Sequence, residues 1–142
     1  MKIQLEVNVS QGAGRVLRGR AREHDLLADQ RAAAGGADSA ATPAETLGFA
    51  LGACFVSVAR FVAEQEGLDV SNIRCRVTGT LDLTRAMGGE GRAGFPELVL
   101  AADCDAPWSG REKEAYFRRV LERCPVCENV LLATPLRLEP LS

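Results

Sequence analysis

The sequence predicts an α+β protein in which antiparallel strands pack on helices. Three observations carry this: a period-two apolar pattern in the first ten residues, a long central helix with complete end signals, and two alternating segments after it. The 142 residues include 46% apolar and 25% charged side chains, with 19 acids against 17 bases, which suits one ordinary domain spanning 1–142. A chain of this length hides roughly two-thirds of the surface its unfolded form exposes, so its core needs neither metal nor disulfide staples. The five cysteines are free for other work.

A net charge of -2 gives no electrostatic ground for binding polyanions. The arginines Arg15, Arg18, Arg20 and Arg22 form one local stripe, read as a solvated strand face, so no nucleic acid is expected as a partner. No basic start followed by an apolar run opens the chain, so a secretory signal is not expected and the default location is cytoplasmic. Thiols stay reduced there, and an odd cysteine count argues further against a structural disulfide framework. The uncharged stretch 46–59 is shorter than the roughly 20 residues a membrane span needs, so no membrane partner is expected.

In order along the chain, Ile3, Leu5, Val7 and Val9 alternate with Lys2, Gln4, Glu6 and Asn8, the pattern of a half-buried strand. Gly12 and Gly14 supply turn chemistry, and 15–22 and 24–29 complete a three-stranded meander. The Ala-, Gly- and Ser-rich segment 31–42 reads as an exposed loop able to move. Thr42 as N-cap, Pro43 at the first helical position and Glu45 at the third then start a helix that runs to Glu66 and ends at Gly67. Its middle, with Leu47, Phe49, Leu51, Cys54, Phe55 and Val58 among small residues, is apolar on every side. Such a helix must be surrounded, and a single chain of this size does not surround about 36 Å of helix, so a second copy is expected to cover part of it.

Ile73, Cys75, Val77, Gly79, Leu81 and Leu83 mark a fourth strand, and Leu98, Leu100, Ala102 and Cys104 a fifth after the glycine-rich connection 87–94; both cysteines fall on inward faces. Ser109 and Glu112 form a second capping box, opening a helix whose apolar side is Tyr116, Phe117, Val120 and Leu121. Cys124 and Pro125 then read as the N-cap and first residue of a short helix through Leu132, and 134–138 as a last strand.

Cys124 has two readings. As an N-cap its sulfur meets unpaired backbone N–H groups and the positive end of the helix dipole, which favour thiolate; as a continuation of the Tyr116–Val120 stripe it is an inert core thiol. Cys127 completes a C-x-x-C sequence, the pattern of a redox pair or of half a zinc site. This one follows a helix rather than a strand, and no second C-x-x-C or histidine pair exists, so no metal is expected. Cys75, Cys104 and His24 are spaced as strand residues rather than as ligands. Cys54, in the apolar helix, is a packing residue unless a cation stands beside it. Glu45 is explained by its cap and lies about 13 Å along the helix from Cys54, half a turn around. His24 reads as a surface or satisfied core residue whose near-neutral pKa keeps it eligible as a base.

The run GGADSAATPAETLGFALGAC (35–54), the β-rich middle and RCPVCENVL (123–131) together resemble the OsmC/Ohr family of osmotically inducible and organic hydroperoxide resistance proteins, on the OsmC-like side, over essentially the whole chain. The resemblance implies an OsmC-like α+β fold, an intertwined homodimer with antiparallel sheets wrapped around long central helices. It also implies that Cys54 is a peroxidatic thiol, forming a sulfenic acid with an organic hydroperoxide, and that Cys124 resolves it to a disulfide. A lipoyl-type dithiol is the implied reductant, and no metal or organic cofactor is called for. The family's thiolate is held by an arginine that a glutamate orients. Glu45 matches that glutamate in the OsmC-like branch, Ala44 stands where the hydroperoxide-resistance branch has its acid, and Arg15, then Arg20, match the arginine by position. Cys127 stands where the family commonly has serine and is expected to be a small first-turn residue of its helix. Two other functions stay open: a binding or regulatory dimer without turnover, and a disulfide oxidoreductase using Cys124 and Cys127.

Overall fold

A computed structural model describes residues 1–141. The chain divides into two compact units, Met1–Leu47 and Gly48–Ser142.

In the first unit, β1 (Asn8–Gln11), β2 (Leu17–Ala21) and β3 (His24–Ala28) form the expected antiparallel meander in sequence order. Gly14, at φ +60°, turns the chain between β1 and β2. The first strand is shorter than its alternation predicted. Asn8 pairs with Arg20 and β2 ends one residue later, so 3–7 find no backbone partner in this sheet. Ile3 and Leu5 stand 88% and 89% exposed.

The expected loop 31–42 is tied down at its base. The buried carboxylate of Asp29 accepts the Ser39 hydroxyl at 2.7 Å and the Ser39 N–H at 3.0 Å, and Ala32–Ala34 form a 3-10 turn. The Ser39 hydroxyl, then its N–H, holds the Asp29 carboxyl below its ordinary pKa. Gly36 is obligatory in that turn, because a Cβ there would fall 1.9 Å from the Gln30 carbonyl oxygen.

Helix α1 (Pro43–Glu66) has the end signals the sequence specified. The Glu45 N–H donates to Thr42 Oγ1 at 3.2 Å, the Thr42 N–H donates to Glu45 Oε2 at 2.9 Å, and Gly67 adopts φ +63° past its end. Its 24 residues reach a mean hydropathy of 1.8 over 18 of them, so the whole helix, unlike its uncharged stretch alone, has the length and composition to cross a membrane.

In the second unit, α1 from Gly48 onward packs with β4 (Ser71–Thr78), β5 (Val99–Asp105), α2 (Gly110–Arg123) and α3 (Pro125–Leu131). Phe55, Ala59 and Val62 of α1 are buried in one cluster with Tyr116 and Val120 of α2 and with Cys124 and Cys127. The Tyr116 hydroxyl donates to the Ala59 carbonyl, so burying the ring strands no polar atom. Burial of a side chain the size of Phe55 contributes about 2–3 kcal/mol. The opposite side of α1 is bare in the single chain, with Phe49 75% and Phe61 53% exposed.

β4 and β5 pair antiparallel, with Ile73, Cys75 and Val77 half-buried on one face and Cys104 fully buried, as the alternation predicted. β4 stops at Thr78 opposite Val99 instead of continuing to Leu83. Pro96, just upstream of β5, has no N–H to extend the ladder. The expected strand over 134–138 is also absent: these residues adopt no strand, and Leu136 and Leu138 are fully exposed. The Ser109–Glu112 capping box at the start of α2 is present as predicted.

Candidate functional site

Four of the five cysteines lie in one packed cluster in the second unit. Cys124 is both the last cap of α2 and the first of α3: its N–H donates to the Leu121 carbonyl at 3.2 Å and its carbonyl accepts the Glu128 N–H at 3.0 Å. Pro125 enforces this break, since its ring cannot continue α2 but fits the first turn of α3. The joint buries the Cys124 thiol against α1.

Cys54 packs against the buried cluster that contains Cys124 and Cys127, and the Cys124 thiol and the backbone N–H of Val126 both bear on its ionisation. Cys124 and Cys127 are both buried in that cluster, as the N-cap and third residue of α3. Cys127 Sγ donates to the Leu51 carbonyl at 3.7 Å and Cys75 Sγ to the Gly52 carbonyl at 3.6 Å. The turn of α1 from Leu51 to Cys54 is therefore surrounded by thiols. Gly52 permits the approach of β4: a Cβ there would lie 3.1 Å from Cys75 Sγ.

One of the two readings of Cys124 gave the free N–H groups of α3 to its own sulfur. The structure differs. Cys124 makes no side-chain capping bond, and the Val126 N–H, at the second position of α3, favours the Cys54 thiolate.

Burial pushes the Cys54 thiol above its ordinary pKa; the Val126 N–H pulls it down and the Cys124 contact raises it again. Among the described residues of the second unit, no cation belongs to that balance. Burial and then the Cys124 contact push Cys127 up to about 12. Cys104 belongs to another environment, where burial raises it and Lys113 opposes.

In the first unit, the Glu45 carboxylate is ion-paired to Arg31. The Thr42 N–H, then the Arg31 guanidinium, holds the Glu45 carboxyl below its usual range. The arginine expected to be held by Glu45 was Arg15; its guanidinium instead lies beside Gly35, and Arg20 pairs with Asp25 at 2.6 Å. The turn at Ala32–Ala34 accounts for the exchange, because it returns the chain just after Arg31 toward the start of α1. His24 is exposed on β3. Among the described residues no group of three or more His, Cys, Asp or Glu is disposed to hold a metal ion.

An open groove of about 740 Å³ runs along α2, lined by Phe55, Leu100, Phe117 and Leu121 with Lys113 and Arg118 at its polar edge. No cysteine lines it, so it is separate from the thiol chemistry.

Sequence reasoning did not pair Glu45 with Arg31, and it missed the Val126 N–H and the inclusion of Cys75. The one available signal was Pro125, which places the first turn of α3 next to whatever Cys124 packs on.

A family model described as OsmC-like protein matches residues 36–139. Comparison with curated proteins gives no match. Among solved structures, the chain is similar to an OsmC-like protein from Mycoplasma pneumoniae, with a TM-score of 0.79 at 17% identity, covering 94% of this chain and 91% of that one. It is also similar to an organic hydroperoxide resistance protein OsmC from Legionella pneumophila, with a TM-score of 0.68 at 19% identity over 92% and 90% of the two chains. The organic hydroperoxide resistance protein OhrB of Bacillus subtilis gives a TM-score of 0.60 at 19% identity over 92% and 93%. These likenesses establish the α+β fold.

Proposed function

Because this chain belongs to the OsmC-like protein family, we propose that it is a thiol-dependent peroxidase acting on organic hydroperoxides. Two of the structures it is similar to are organic hydroperoxide resistance proteins. The observation that carries the proposal is the packing of Cys54 against the buried cluster that holds Cys124.

The Cys54 thiolate attacks the terminal oxygen of the hydroperoxide. The O–O bond breaks, the alcohol leaves with a proton, and Cys54 becomes a sulfenic acid. Cys124, in the cluster that Cys54 packs against, attacks that sulfur; water leaves and a Cys54–Cys124 disulfide forms. A dithiol of the lipoyl type reduces the disulfide, and the cycle uses no metal or organic cofactor. The N–H of Val126 stabilises the thiolate by hydrogen bonding and dipole.

Burial works against that thiolate, so the scheme needs a positive charge. We assign this role to an arginine oriented by Glu45, and the observed ion pair favours Arg31 over Arg15. We place the protein in the cytoplasm, where its thiols stay reduced, and read it as one OsmC-like domain acting as a homodimer. Support for the dimer is the bare apolar side of α1 and the unpaired alternating segments at both ends of the chain. A binding dimer without turnover is the second reading, favoured by the raised Cys54 pKa.

Sulfenic acid trapping tests the proposal. With resolution blocked in Cys124→Ser, one equivalent of alkyl hydroperoxide followed by dimedone labels Cys54. An unlabelled, still reduced Cys54 favours the binding dimer.

A further inference from the structure

We propose that Cys127 is a second resolving thiol, which takes over the disulfide from Cys54 by attacking Cys124 and returns Cys54 to the reduced state while the oxidising equivalent is stored within α3. The proposal rests on the peroxidase reading above and adds a step to it.

The arrangement of the sulfurs carries this inference. Cys124 and Cys127 are buried in one cluster and Cys54 packs against it, so both Cys54 and Cys127 lie in the surroundings of Cys124. Cys124 is the N-cap of α3 and Cys127 its third residue, one turn apart with Pro125 fixing the first turn. Two cysteines so placed at a helix start have their side chains on the same end of the same turn, which is what a disulfide across C-x-x-C requires. Cys127 itself is buried and oriented by its bond to the Leu51 carbonyl, three residues before Cys54.

The exchange is balanced within the chain. Cys127 gives up its proton and its sulfur attacks Cys124 Sγ; the Cys124–Cys54 bond breaks and its electron pair leaves on Cys54, which takes up a proton. One disulfide is exchanged for another, with no net oxidation. The oxidising equivalents came from the hydroperoxide in the preceding step.

The same geometry sets the order of events. In the reduced protein, burial, the Cys124 contact and the nearby Cys54 hold Cys127 up to about 12 and keep it inert. Once Cys54 and Cys124 are joined, neither carries a proton or a charge, so their contributions are lost while burial, the largest, persists. Cys127 is therefore easier to ionise after the first disulfide has formed than before it.

The test treats the reduced wild-type protein with excess cumene hydroperoxide in the absence of reductant, quenches with N-ethylmaleimide at intervals and maps disulfides by mass spectrometry. A Cys54–Cys124 link appears first and gives way to a Cys124–Cys127 link with Cys54 free. A second hydroperoxide is then consumed, doubling the amount used per chain, and dimedone labels Cys54 in molecules that already hold the Cys124–Cys127 link. Cys127→Ser halts at Cys54–Cys124, with one equivalent used. A wild-type protein that forms Cys54–Cys124 and stays there overturns the relay while leaving the peroxidase intact. Hydroperoxide left unconsumed, with every thiol still alkylatable, overturns both. A Cys124–Cys127 link forming equally fast in Cys54→Ser overturns the relay too, since Cys124 is then oxidised directly.

Discussion

Cys54 and Cys124 pack in one cluster although seventy positions separate them, because Pro125 ends α2 and starts α3 at Cys124. The break has two effects. It leaves the Cys124 side chain buried in the core, and it frees the Val126 N–H from the α2 ladder.

The first prediction concerns charge. Burial raises the pKa of Cys54, and a cation lowers it by favouring the ionised form. Arg31→Met therefore moves the midpoint of iodoacetamide alkylation of Cys54 upward by about one unit or more. At neutral pH this removes about nine-tenths of the thiolate, and the rate of reaction with hydroperoxide falls about tenfold. An unmoved midpoint excludes Arg31 from the role, and a shift in Arg15→Met alone returns it to Arg15.

The second prediction separates two glycines of α1. A Cβ at Gly48 meets only Val77, at 3.9 Å, so Gly48→Ala gains helix propensity and stabilises by about 0.5–1 kcal/mol in urea unfolding. At Gly52 the added carbon lies 3.1 Å from the sulfur of Cys75, which its bond to the Gly52 carbonyl and its place in β4 hold in position. Gly52→Ala falls below Gly48→Ala by about 1–3 kcal/mol. Equal gains in both variants contradict the close approach of β4.

A third prediction addresses the bare side of α1. Phe49→Glu or Phe61→Glu places a charge on a face that a second copy is proposed to cover, and sedimentation analysis shows a dimer for the wild type and a monomer for the variants. A wild-type protein that sediments as a monomer contradicts the homodimer.

Local signals were legible in the sequence wherever the physics is local. The caps at Thr42 and Ser109, the left-handed Gly67 and the helix start at Pro125 each depend on residues within a few positions, and all lie where they were expected. The alternation of Ile3 and Leu5 states that a segment suits a strand, but pairing also needs a neighbour, and β2 ends before reaching it. Leu136 and Leu138 show the same gap. The thiol site required contacts between α1 and a helix joint far along the chain, which spacing alone does not encode. Family resemblance, rather than periodicity, brought Cys54 and Cys124 together, and it marked Cys127 only as a departure from the family's usual serine. Arg31 was hidden for a third reason: it sits in an alanine- and glycine-rich loop whose path is set by the buried carboxylate of Asp29.

Stopped-flow consumption of an alkyl hydroperoxide in the presence of dihydrolipoamide tests the peroxidase most directly. The wild-type protein consumes it with turnover, and Cys54→Ser slows the reaction by about 100-fold or more, as loss of a nucleophile does. A rate unchanged in Cys54→Ser contradicts the assignment.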